Sequence, residues 1–226
     1  MFLRRHQHPS SAASTPSDRS TQSSPTAQDP NTGLLSGTQL KSLLLPAAVL
    51  PKGYSADPQA TRDSGEIFAP PSSTAVDLAT ACPKLEASAW IQTSGISGAA
   101  FAQGDFTNPY HEEFNEEIDS FRGTDAQTVM THLKEILTHC AHFTDTSSGT
   151  TASVGISTTT VLGVGDQTLK AVLCAPQWDG GTTLVATRVG NTVITTFYNT
   201  QSSDMGAAGL SLTKKIAAKV KAVPTG

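Results

Sequence analysis

The stretch GTTLVATRVGNTVITTFYNT, residues 181–200, decides the fold class of this chain. It holds two runs rich in Val, Thr and Ile, at about 181–189 and 192–199, and the joint VGNT at 189–192 carries a Gly-Asn pair. Such a pair supplies the positive φ that a tight hairpin needs, so the stretch predicts two antiparallel strands. Toward the N terminus, runs of the same character lie at about 167–175 and 150–158, and WDGG at 178–181 is a second hairpin signal. Together these four runs predict an antiparallel meander. Two further strands, at about 96–107 and 112–121 and joined by NPYH, bring the sheet to about six strands. In the second of them, EEFNEEIDSF, Phe114 and Ile118 share one face, while Glu113, Asn115, Glu117 and Asp119 make the other acidic throughout. Paired carboxylates can do acid/base work when a cleft gives them distinct environments. Without such a cleft the pattern reads as a solvated strand face.

Helical periodicity occupies the intervals. In GTQLKSLLLPAAVLPKGY, residues 37–54, Leu40, Leu43 and Leu44 recur at helical spacing before Pro46 and Pro51 break the run, which predicts two short helical turns. In PPSSTAVDLATACPKLEASAW, residues 70–90, the serines suit an N-cap and Ala75, Leu78, Ala79, Cys82 and Leu85 fall on one face. A third helix begins at GTDAQT, where Thr124 and Gln127 have capping-box spacing, and Val129, Leu133, Ile136, Leu137 and Cys140 form its apolar stripe. The C-terminal SSDMGAAGLSLTKKIAAKVKAV predicts a capped helix with Met205, Leu212, Ile216 and Val220 on one side. Lys214, Lys215, Lys219 and Lys221 lie toward its end, where the dipole favours cations. A basic amphipathic helix can lie on a membrane, but docking over the sheet is the preferred reading. The predicted fold class is therefore α+β, a single antiparallel sheet with helices packed on one face.

At 226 residues with 37% hydrophobic content, the chain can build one domain with a proper core. Residues 1–36 are dominated by Ser, Thr, Pro, Gln and Ala, so they predict a disordered tether ahead of a single globular domain at 37–226. A stalk between a membrane anchor and a head fits that composition, and so does a plain disordered tail. The net charge of -4, with Lys and Arg scattered until the last helix, offers no footprint for a phosphate backbone, so no nucleic-acid partner is expected. No run of 18 apolar residues exists to span a bilayer. The start, MFLRRHQHPSSAASTPSDRS, is basic but lacks an apolar h-region, so the chain is either cytosolic or without its export segment. Charged residues make up only 15%, against abundant Ser, Thr, Ala and Gly, a balance more usual in exported envelope proteins.

VMTHLKEILTHCAHF, residues 129–143, sets a cysteine among three histidines. His132 and His139 are seven apart, but His139, Cys140 and His142 point in different directions from a helix end, and neither C-x-x-C nor H-E-x-x-H occurs there. No metal or cofactor is expected. A Cys-His nucleophile needs an exposed thiol, whereas Cys140 shares its face with Leu133 and Ile136. Two readings stay open: Cys82 and Cys140 meet in a disulfide, or the chain holds three reduced core cysteines in a cytosolic protein. Cys174 is expected to be buried in a central strand as a small apolar side chain. No G-x-S-x-G, P-loop or Rossmann fingerprint appears, and GVGDQT lacks a third glycine and precedes a strand. The chain is expected not to be an enzyme, with a hydrolase as the remote alternative.

The order of LLLPAAVLPKGY, CPKL, LTHCAHF, GVGDQT and TRVGNTVITTF resembles the extracellular sensor domain of PknH-type receptor serine/threonine kinases and related actinobacterial envelope lipoproteins, over about residues 38–222. The resemblance implies a domain outside the membrane, helices on a curved antiparallel sheet, and a bridge between Cys82 and Cys140, which match cysteine positions of the family. That kinase domain has two bridges, which three cysteines cannot make, so a lipoprotein relative is the closer match. The family's ligand cleft points to groups near loops: Tyr110 and His111, Trp178 and Asp179, and Arg122. Covering the sheet edge is the preferred reading of Trp178, and loop packing the preferred reading of Tyr110. The implied partner is an unknown small ligand or cell-wall component. Another envelope protein, docked on the acidic 112–121 face or the lysine-rich helix, is the alternative, and membrane contact would come only through an anchor outside this chain.

Overall fold

All the alternating runs form strands, and they pair into one antiparallel sheet. The structure, a computed structural model, describes residues 29–146, 149, 151–202 and 204–224. In chain order its elements are α1 (Gly37–Lys41), β1 (Ser55–Ala56), β2 (Arg62–Asp63), α2 (Leu78–Lys84), β3 (Ala100–Thr107), β4 (Glu113–Ser120), α3 (Asp125–His139) and β5 (His142–Asp145). They continue with β6 (Ala152–Thr160), β7 (Gln167–Cys174), β8 (Gly181–Val189), β9 (Thr192–Thr200) and α4 (Ala207–Lys221). Short 3-10 segments lie at Ala47–Val49 and Trp90–Ser94. The sheet runs β1-β3-β4-β9-β8-β7-β6-β5, with β2 also paired to β3, and it is open. It exceeds the six expected strands because β1, β2 and β5, of two, two and four residues, are too short to show alternation.

The meander forms in the predicted order, and the hairpin at Gly190 is tight: Val189 pairs with Thr192, and Gly190 has φ 58°. The WDGG signal marks a longer connection, residues 175–180. Gly180 there has φ 94° and lies against the Thr200 carbonyl, which a Cβ would strike. The long-range step is β4 pairing with β9, Ile118 opposite Ile194, which seats the β3–β4 hairpin beside the meander.

The helices divide between the two faces. Along β9, Val193 and Phe197 enter a core shared with α2, α3 and Trp90, while Ile194 and Tyr198 enter a second core shared with α1 and α4. Alternate side chains on a strand point opposite ways, so the two cores lie on opposite sides of the sheet. α2 and α3 pack on one face as expected, and α4 covers the other. The reason is that β8 and β9 present no solvated face for water: from Thr192 to Tyr198 every residue of β9 is buried.

Local signals are realised unevenly. The stripe of α3 is buried as predicted, but Thr124 makes no side-chain cap. α2 starts later than predicted: Asp77 caps it through the Ala79 N–H, Leu78 is exposed, and Ala81 and Leu85 carry its buried face. In α4, Leu212, Ile216 and Val220 are buried against the sheet, whereas Met205 precedes the helix and is exposed. Cys82 and Cys140 are joined, with Cα atoms 5.4 Å apart, and tie α2 to the end of α3. Cys174 ends β7 and is exposed, not buried as expected, because the strand stops there. The acidic face of β4 is also not solvated: Asn115, Glu117 and Asp119 are buried, since β4 is an interior strand and residues near Ile91 and Gln92 lie over it. Of the expected tether, residues 1–28 fall outside the described residues, and Asn31 is held by Arg122. No helix among the described residues is long and apolar enough to cross a membrane.

Candidate functional site

Trp178 and Asp179 line a cleft of about 510 Å3 at one end of the sheet. The loop 175–180 carries both residues, and the Trp178 N–H donates to the Ala175 carbonyl at 3.0 Å, which closes a turn around them. One side of the half-buried Trp178 packs on the core of α2 and α3, and the cleft takes the other. Trp178 therefore both packs on the core and lines the cleft. Gln177, Thr182, Asn199 and Phe197 come from the same loop and from β8 and β9.

Carboxylates from three separate segments complete the cleft: Glu113 at the start of β4, Glu86 just after α2, and Asp145 at the end of β5. Burial, followed by the charge of Asp145 and a hydrogen bond with it, pushes the Glu86 carboxyl up to about 7. Glu86 thus keeps its proton over part of the neutral range. An aromatic face, two amides, a hydroxyl and several carboxylates suit a polar ligand that is neutral or cationic, and they repel an anion. Glu86, Asp145, Gln177 and Asn199 carried no local signal in the sequence, because they converge only when the ends of β5 and α2 meet the start of β8 and the end of β9.

The remaining candidates lie elsewhere. Tyr110, 69% exposed, stands at the tip of the β3–β4 hairpin, where Asn108 Oδ1 accepts its N–H and its own carbonyl accepts from Gln201 Nε2. His111 takes the left-handed φ of 61° that this turn requires. Arg122 donates from Nε to Asn31 Oδ1 at 2.9 Å and from Nη2 to the Ala69 carbonyl at 2.7 Å, so it ties two chain segments to the start of α3. None of these three lines the Trp178 cleft. The histidines around Cys140 do not converge either: His132 Nδ1 lies 2.7 Å from the Ser94 carbonyl oxygen, and His139 and His142 are exposed. Among the described residues, no three His, Cys, Asp or Glu side chains are grouped to hold a metal ion.

No family model matches the chain, and no curated protein matches it significantly. Among solved structures, the extracellular domain of PknH from Mycobacterium tuberculosis is similar, with a TM-score of 0.62 and 15% identity. The match covers 83% of this chain and 97% of that one. The shared property is the fold: a large, open antiparallel sheet with packed helices.

Proposed function

We propose that this chain is a non-catalytic, extracytoplasmic ligand-binding domain of the cell envelope, of the sensor type. Its ligand is a small polar molecule or envelope component held in the Trp178 cleft. The observation that carries this reading is that cleft, in which Trp178 and Asp179 meet Glu86, Glu113 and Asp145. The fold shared with an extracellular kinase domain supports the setting, and so does the Cys82–Cys140 bond, which suits an oxidising compartment. A membrane anchor would lie outside the folded body. The alternative of a protein-docking module loses one of its two surfaces, because the acidic face of β4 is buried, and keeps the lysines of α4.

Intrinsic fluorescence tests the cleft directly, because Trp90 is buried and Trp178 is the tryptophan that meets solvent. Titration with neutral sugars, amino sugars and uronic acids is expected to change the Trp178 emission with the neutral or amino compounds and not with the anionic ones. Trp178→Phe should abolish the change. A flat response to every class at millimolar concentration, or a response to the anions alone, would sink the reading. The setting is tested by alkylating protein recovered from its native compartment: one free thiol, at Cys174, is expected, and three free thiols would contradict an extracytoplasmic location.

A further inference from the structure

A second cleft of about 510 Å3 opens on the same face of the sheet, toward the other end of β4. Its floor is formed by Glu117 and Asp119, two residues apart on β4 and therefore side by side on one face. They are 4% and 5% exposed, and neither Glu117 Oε2 nor Asp119 Oδ2 meets a hydrogen-bond donor among the described residues. Arg62 lines the same cleft without forming an ion pair to them: its Nε and Nη2 donate to Gln103 Oε1 at 3.2 and 3.0 Å, and its guanidinium lies 5.7 Å over the Phe101 ring. Gly98 brings bare backbone up to the floor, where a Cβ would stand 2.7 Å from Asp119 Oδ1.

Two buried carboxyls with free oxygens cost stability unless something compensates them. Burial raises both above the usual carboxylate range; the charge of Glu117 adds to the effect on Asp119, and Arg62 partly draws Glu117 back. A cation entering from the mouth would compensate the pair. Two carboxylates fall short of the ligand set a divalent metal takes, and the walls above them, Ile91, Ile96 and Phe101, are apolar. We propose that this cleft binds a small organic cation, a primary ammonium on an aliphatic stem, with its nitrogen on Glu117 and Asp119 and its stem along Ile91, Ile96 and Phe101. The site shares no residue with the Trp178 cleft.

Isothermal titration of the whole chain near neutral pH, with hexylamine, hexanol, hexanoate and calcium as separate titrants, tests this. Hexylamine is expected to bind, with hexanol and hexanoate much weaker and calcium silent. Glu117→Gln and Asp119→Asn should each weaken hexylamine by about tenfold or more. Trp178→Phe should leave it unchanged, which separates this site from the proposed function. Glu117→Gln removes a buried charge at nearly constant shape, so its melting temperature should be no lower than that of the parent, and it decides the matter alone if Asp119→Asn fails to fold. No heat with hexylamine, equal binding of hexanol, calcium binding in its place, or full hexylamine affinity in Glu117→Gln would each overturn the proposal.

Discussion

Glu116 sits between Phe114 and Ile118 on the opposite face of β4 and is 1% exposed. Its Oε1 accepts the Leu45 N–H at 2.7 Å. Burial pushes this carboxyl up to about 8, against the smaller pull of the Leu45 hydrogen bond and the Lys219 charge. A carboxyl raised in the fold binds a proton that the unfolded chain has already released. Its stabilising contribution is therefore complete below an unfolded value of about 4.5 and declines as pH rises toward about 8. Glu86 and the Glu117–Asp119 pair are raised by burial too and act in the same direction. The melting temperature is expected to fall between pH 5 and pH 8, since each tenfold difference in proton affinity between the folded and unfolded chain amounts to about 1.4 kcal/mol. Glu116→Gln should flatten that slope, and thermal melts of both proteins across this range check it; a melting temperature rising with pH would refute the assignment. Strand alternation alone made Glu117 and Asp119 look solvated. The turn that carries Trp178 and Asp179, by contrast, was legible as a turn, because its Gly-rich sequence is a local feature.

Among the elements, α4 shows how a helix start can be secured without the predicted pattern. The Asp204 carboxylate accepts the N–H groups of Gly206, Ala207 and Ala208 at 2.8, 3.2 and 2.7 Å, and Gly206 takes φ 77° to turn the chain into the helix. Asp204→Ala should cost about 1 kcal/mol, read as a lower urea midpoint with unchanged slope. An unchanged midpoint would mean that sheet packing alone holds α4. Gly206 and Gly209 also let the helix approach Thr183 of β8, where added Cβ atoms would stand 2.9 and 3.1 Å from its methyl. α4 therefore packs on the sheet, and Lys219 Nζ donates to the Ser42 and Leu44 carbonyls. The strands and the two long helices were readable from their periods. The start of α2 was not, because Asp77 and the earlier serines are equally good caps in sequence and only the packing of Ala81 and Leu85 selects one.

At the scale of the whole molecule, the Cys82–Cys140 bond closes a loop spanning 58 positions, within which β3, β4 and α3 lie. Cross-linking so long a loop restricts the unfolded chain by about 4 kcal/mol, so Cys82→Ala/Cys140→Ala should melt well below the parent, and reduction should lower the parent to match. A double variant as stable as the parent would show that the two cores suffice. By itself the sequence determined the α+β class, the meander, its tight hairpin and the apolar stripe of α3, because alternation, turn chemistry and helical period act over a few residues. Only the tertiary structure decided that β4 pairs with β9, that helices cover both faces, and that the carboxylates of β4 are buried. It also gathered Glu86, Asp145 and Trp178 around one cleft. The physical reason is distance along the chain: such contacts depend on which segment lands over which face, and burial acts on residues that share no local pattern.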